Sequence, residues 1–320
     1  MVSLHIEAAR FKWVGHKNEL CFLRNTLLGR MYNQIIISVG VSFKPTPPQG
    51  VLILGGKSLN STLSSSETLG LENCTFPPLP ETRYGHATFA TFYDQIAVCG
   101  GWWQGKPKSS DCLLLNKTTG TWNRGKFNEM LGDGVRGVVD LEGKGVYLVH
   151  PTSTSFLAAR SMTWLPGPIP PGRAECAAKV SALSFVSIGG LDGKAIQEYS
   201  AEKENWLDAT LWPELNTARR GPGCAATRTH LVVAGGVSGW QEVLATVEVF
   251  LLESRSHKNA DAMRKARAFF SLVAVGDIHS HVLAIGGRNE TSELQTTEWW
   301  DSEEDQWEEG PPLRTPRLAF

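Results

Sequence analysis

Short runs of apolar and β-branched residues recur along the chain, and most of them end in paired glycines. Val51-Leu-Ile-Leu precedes Gly55 and Gly56, and Ile96-Ala-Val-Cys precedes Gly100 and Gly101. The arrangement returns as Phe185-Val-Ser-Ile before Gly189 and Gly190, Leu231-Val-Val-Ala before Gly235 and Gly236, and Val282-Leu-Ala-Ile before Gly286 and Gly287. Brief apolar runs bounded by turn residues predict buried strands rather than helices. The first glycines of successive pairs lie 45, 89, 46 and 51 residues apart. Near the middle of the doubled interval, Gly145-Val-Tyr-Leu leads into Val149 and His150 where glycines would stand, and reads as a degenerate copy.

A second β-like run follows each of the first, often with an acidic residue: Glu67, Asp111, Glu198, Glu248 and Glu298 fall in these runs, and Thr154-Ser-Phe-Leu fills the place in the weakest copy. Trp122, Trp164, Trp206 and Trp307 come next, and proline-bearing connections such as Leu165-Pro-Gly-Pro lead to an arginine that opens the following unit. Those arginines are Arg83, Arg136, Arg173, Arg219, Arg267 and Arg317. Four short strands in a repeating unit of about 45 residues is the pattern of a propeller blade, whose sheet buries its faces only against its neighbours. Paired glycines permit a tight turn where a Cβ would clash, and an outer-strand tryptophan fills the gap that widens between blades.

The order of apolar run, double glycine, Glu-containing strand, tryptophan and arginine resembles the kelch repeat, from about residue 34 to residue 320. The resemblance implies an all-β fold, a kelch-type β-propeller of about six four-stranded blades. Residues 1–33 show no repeat and are expected to be an N-terminal extension. Blade three lacks its glycines and blade five has no tryptophan in the outer-strand place, so both are expected to pack less regularly. Closure of the ring has three readings: a strand from Asn33 to Val41, the C-terminal Arg317-Leu-Ala-Phe320, or residues beyond the given sequence. Many kelch proteins carry a BTB domain ahead of the propeller, and the first 33 residues are too short to be one.

Composition narrows the function classes. Net charge is -1, and Lys and Arg are scattered rather than gathered into a phosphate-binding stripe, so nucleic acid is not the expected partner. No apolar stretch approaches the roughly 20 residues of a membrane-spanning helix. The six cysteines (21, 74, 99, 112, 176 and 224) form no CxxC pair and have no zinc-like spacing, and no metal or cofactor is expected. Asp277-Ile-His279-Ser-His281 alternates three potential ligands along one strand, but a polar inter-strand turn explains it.

Cys99 and Cys112 are expected on adjoining antiparallel strands, close enough for a disulfide. With Cys74 they resemble secreted kelch-like proteins of invertebrates, and sequons stand at Asn60, Asn73, Asn116 and Asn289. The absence of a signal peptide reads as cytoplasmic; an incomplete N-terminus would make the chain secreted.

Propellers bind through loops held rigid at one face. The loops after the double glycines carry Trp102, Trp103, Lys106 and Lys108 in blade two, Trp240 in blade five and Arg288 in blade six. Aromatic residues beside cations suit a protein-binding hot spot. His86 and the repeated arginines are expected to bond backbone between and within blades. The function expected is a non-catalytic interaction module, a scaffold or adaptor, for a protein or peptide partner. The alternatives are an extracellular glycan- or matrix-binding protein and a kelch-fold enzyme, an oxidase or sugar epimerase. The oxidase reading lacks ligands: of the five tyrosines, Tyr84 and Tyr93 lie on repeat strands with only His86 nearby.

Overall fold

Each apolar run forms the second strand of a small antiparallel sheet, and five of these strands are buried from end to end: Val51–Leu54, Ile96–Cys99, Gly145–Val149, Ser184–Gly189 and His230–Ala234. Strands covered on both faces need continuous apolar runs rather than alternation. The structure, a computed structural model, describes residues 51–58, 61–69, 75–90, 95–107, 111–116, 119–126, 134–159, 163–190, 192–239, 241–275 and 281–318.

Five sheets have four strands in the order first, second, third, outer. Blade two runs from Ala87–Ala90 to Thr121–Lys126, and blade three from Gly137–Leu141 to Trp164–Pro166. Blade four runs from Ala174–Ser181 to Asn205–Trp206, blade five from Gly223–Ala226 to His257–Lys258, and blade six from Ser271–Val275 to Gln306–Glu309. Blade one contributes two paired strands among the described residues, Val51–Leu54 and Ser66–Leu69. Among the described residues five blades have four strands, where about six were expected, and blade one has two.

Six apolar cores lie between neighbouring blades. Leu54 and Val98 join blades one and two, Phe89 and Leu148 two and three, and Tyr147 and Phe185 three and four. Val186 with Leu231 joins four and five, Val249 with Trp300 five and six, and Leu283 with Ile53 joins six back to one. The last of these closes a ring, and burial of this kind contributes on the order of 25 cal/mol per Å² of apolar surface.

Four of the repeated arginines fasten blades in one geometry. Arg219 Nη1 donates to the carbonyls of Gly235 and Thr246, and its Nη2 pairs with Glu248 at 3.0 Å. Arg267 does the same with Gly286, Thr296 and Glu298, and Arg317 reaches Gly55 and pairs with Glu67. In blade two, Leu113 holds the position of the carboxylate, and Arg83 pairs instead with Asp111 and Glu81. These carboxylates also accept backbone N–H groups of the loop entering the blade, as Glu248 does from Asn216 at 2.7 Å and Thr217 at 3.2 Å.

The C-terminal segment takes part in closure. Lys57 and Leu318 exchange both backbone hydrogen bonds at 2.9 Å, matching the Tyr84–Trp102, Arg220–Val237 and Ala268–Arg288 bridges of other blades. Leu318 is thereby tied to blade one at the place where the corresponding residues of blades two, five and six are bridged. The alternative segment, Asn33 to Val41, lies outside the described residues.

Gly55 and Gly101 show why the turn needs glycine. Both have positive φ, and a Cβ on either would stand 2.7 Å from a backbone carbonyl oxygen, that of Arg83 or Tyr84. Blade three manages without the pair: His150 N donates to Ser153 O, its ring bonds Ser155 Oγ at 3.1 Å, and all four strands remain in register. In blade five, His257 stands opposite Phe250 where Trp307 stands opposite Trp300. Trp164 and Trp307 are buried, whereas Trp122 and Trp206 are half-buried.

Candidate partner-binding face

The double glycines, the openings of the inner strands and the ends of the outer strands share one face, because the strands of each blade run alternately up and down. Trp102 and Trp103 form one arm of a hairpin closed by Lys106 and Pro107, with Gln104 and Gly105 at positive φ in its turn. Both tryptophans are half-buried, and Lys106 is exposed. Backbone bonds to Tyr84 fix Trp102 at the channel mouth, where Lys57 Nζ lies 5.7 Å above the Tyr84 ring. Arg288 is exposed at the equivalent place in blade six, bridged to Ala268. Lys108 and Trp240 lie outside the described residues.

Blades three and four break the arginine–carboxylate arrangement. The residue paired with the second strand two positions before the first glycine is glutamate in blades one, five and six; here it is Phe156 in blade three and Gln197 in blade four. Neither Arg136 nor Arg173 consequently finds a carboxylate at that position of its own third strand; Glu198, beside Gln197, accepts from Trp212 and Arg255 instead. Arg173 Nε pairs with Glu175 at 2.9 Å and its side chain is 50% exposed, while Glu175 also accepts the Gly221 N–H at 3.1 Å.

Arg136 is half-buried, and its Nε has no hydrogen-bond partner among the described residues. Burial lowers its pKa; Glu175 opposes that shift, and the nearby positive charges of Arg173 and Arg220 reinforce it. Arg220, one residue beyond the staple residue Arg219, is exposed. Arg173 therefore pairs with Glu175, and Arg136 lies within electrostatic reach of Glu175, Arg173 and Arg220. The repeated arginines, Arg136 and Arg173 among them, were expected to be structural, and Arg220 and Glu175 were not singled out from the sequence. The signal was the apolar or amide residue in the glutamate position, which only the strand register exposes.

Among the described residues no group of three His, Cys, Asp or Glu side chains could hold a metal, and no helix is long and apolar enough to cross a membrane. His281 pairs with Asp301 at 3.0 Å; Asp277 and His279 lie outside the described residues. Cys99 and Cys112 are opposed across blade two with Cα atoms 4.1 Å apart, and their sulfurs are paired. Cys176 and Cys224, on the inner strands of blades four and five, are paired likewise at a Cα separation of 5.9 Å. Cys21, Cys74 and the sequons at Asn60 and Asn73 lie outside the described residues. Asn289 Oδ1 accepts the N–H groups of Thr291 and Ser292 in a surface turn.

A kelch motif matches residues 266–314, which span blade six. The chain is similar to kelch repeat-containing protein kel-10 of Caenorhabditis elegans, with 27% identity over 133 residues, a stretch covering 39% of this chain and 23% of kel-10.

Proposed function

We propose that this kelch-motif β-propeller is a non-catalytic interaction module whose double-glycine face holds an acidic segment of a partner protein. The observation that carries the reading is the Arg173–Glu175 pair with Arg136 and Arg220 in its electrostatic neighbourhood, Arg136 being half-buried and without a hydrogen-bond partner at its Nε among the described residues. An excess of like charge at a concave mouth is costly to maintain and attracts the opposite charge. Carboxylates from a partner would complete the hydrogen bonding of these planar groups in pairs. Trp102 and Trp103 beside the mouth supply apolar anchor area, and Lys57, Lys106 and Arg288 extend the positive rim. Lys108 and Trp240 belong to the same proposed face by their position after the double glycines.

A peptide library selected on the wild-type propeller tests this. Enriched sequences rich in Asp and Glu, lost on Arg220→Glu and weakened on Trp102→Ala/Trp103→Ala, support it. Enrichment of neutral or basic sequences, or selection unaffected by Arg220→Glu, overturns it.

The two cysteine pairs support a second reading concerning compartment: the module works where disulfides persist, outside the reducing cytosol. Non-reduced peptide mapping of natively isolated protein would recover Cys99–Cys112 and Cys176–Cys224 peptides linked. Recovery of free thiols at all four positions contradicts it.

A further inference from the structure

Blade five contains a cavity of about 290 Å³ on the double-glycine face, lined by Asn216, Thr217, Glu248, His257, Asn259 and Ala260 among others. Comparison with other blades shows what is missing. In blade six the third residue before the repeat arginine is Arg264: its backbone N–H donates to Glu298 at 2.6 Å and its Nε to the Trp307 carbonyl at 2.8 Å. Arg314 holds that position in blade one, and its backbone N–H bonds Glu67. Blade five has Asn216 there, with its N–H on Glu248 at 2.7 Å.

Blade two supplies a second guanidinium by another route. Arg124, two residues beyond Trp122 on the outer strand, pairs with Glu81 at 2.8 Å and with Asp111, beside Arg83. The matching residue of blade five, two beyond His257, is Asn259. In blade two the second of these positions sets the Arg124 guanidinium on the staple carboxylates, and in blade six the first sets the Arg264 guanidinium on the Trp307 carbonyl; in blade five both are asparagine, and both asparagines line the cavity. His257, smaller than the tryptophan of the other outer strands, widens it; Asn216 Nδ2 holds its Nε2 at 3.3 Å.

We infer that this cavity is a receptor site for a guanidinium group, presented by an arginine side chain of a partner polypeptide. The amide oxygens of Asn216 and Asn259 and the carboxylate of Glu248 supply planar-group acceptors, and Val247 and Ala260 supply apolar wall for the methylene stem. A guanidinium carries five donors and no acceptor, which suits a wall of amide and carboxylate oxygens. Arg219 already neutralises Glu248; in blade two Arg83 and Arg124 stand together on two carboxylates, Glu81 and Asp111, and in blade five the amides of Asn216 and Asn259 take the place of the second carboxylate. The inference concerns a different part of the face from the arginine cluster and stands whether or not that cluster binds acidic segments.

The test uses the full chain and Nα-acetyl-arginine methylamide as probe, followed by NMR at the Asn216 and Asn259 side-chain amides and the His257 ring. Saturable shifts at these groups are expected. The lysine analogue and the uncharged citrulline analogue should bind at least roughly tenfold more weakly, a difference of about 1.4 kcal/mol. Asn216→Arg, which installs the residue of blade six, should fold and lose the response; Asn259→Arg, which installs that of blade two, provides an independent variant should the first fail to fold. Absence of saturable shifts, equal binding of citrulline, or an undiminished response in a folded variant overturns the inference.

Discussion

Arg317 and Glu67, 250 residues apart in sequence, form a buried ion pair at 2.9 Å. Their side chains are 1% and 3% exposed. Arg314 and Leu318, on either side of Arg317, bond Glu67 and Lys57 through their backbones, so the chain's last described residues are fastened to its first blade.

Breaking that pair from one side should be costly, because it leaves an uncompensated buried charge. Arg317→Met and Glu67→Gln are each expected to lower unfolding stability by about 3–5 kcal/mol, and the Arg317→Met/Glu67→Met double variant by less than the sum of the two. Urea denaturation checks this. A loss below about 1 kcal/mol for Arg317→Met, the range of an exposed pair, would place ring closure elsewhere.

At the turns, space as well as backbone angle should decide the effect of substitution. Gly101 has φ +82° and no room for a Cβ, whereas Gly105 has φ +73° and nothing within 4 Å of one. Gly101→Val should therefore destabilise the fold far more than Gly105→Ala, whose strain amounts to about 1–2 kcal/mol. Equal thermal shifts for the two would show that close approach at the double glycine is not limiting.

The outer-strand tryptophans should not be equivalent. Trp307 is 4% exposed and donates its Nε1 to the Asp261 carbonyl at 3.1 Å, so Trp307→Ala is expected to cost about 3–5 kcal/mol. Trp206 is half-buried, and its removal should cost less. Comparing the two denaturation midpoints measures the difference.

A buried histidine and a half-buried aspartate should oppose each other in the pH dependence of stability. Burial, with Arg83 adding to it, lowers the His86 pKa from 6.5 to about 4. Between these values the unfolded chain binds the extra proton, so this group's contribution is full above about pH 6.5 and declines as pH falls toward 4. Asp140 behaves in the opposite sense: burial, offset by Lys179 and reinforced by Glu142, raises its pKa from 3.8 to about 7. The folded chain holds that proton, and stability is lost as pH rises from 3.8 through 7. His86→Phe should therefore expose a stability that falls with rising pH, and Asp140→Asn one that rises, each with a slope of at most about 1.4 kcal/mol per pH unit. Urea titrations of both variants between pH 4 and pH 7 that show unchanged slopes would contradict these assignments.

Much of the fold was legible in the sequence because the turn chemistry repeats. Gly55-Gly56, Gly100-Gly101 and their counterparts mark the end of the second strand in every blade but the third, and the arginines mark each opening. The arginine cluster was not legible, for a physical reason: the position that accepts each arginine lies across a hairpin of variable length, so Phe156 and Gln197 are recognised as replacements for glutamate only once the strands are in register. The same holds for His257, whose equivalence to Trp307 follows from its pairing with Phe250. Of the three readings of closure, the C-terminal one gains the backbone bonds between Leu318 and Lys57, while Asn33 to Val41 lies outside the described residues.

The Nε–Hε signals of Arg136, Arg173 and Arg220 report on the proposed acidic-segment site. Titration with a tetraglutamate peptide at low ionic strength should shift these three signals and the Trp102 indole signal together, and added salt should reverse the shifts. If the peptide leaves the Arg136 signal unmoved, or moves only scattered surface arginines, the double-glycine face is not the acidic-segment site and the central claim fails.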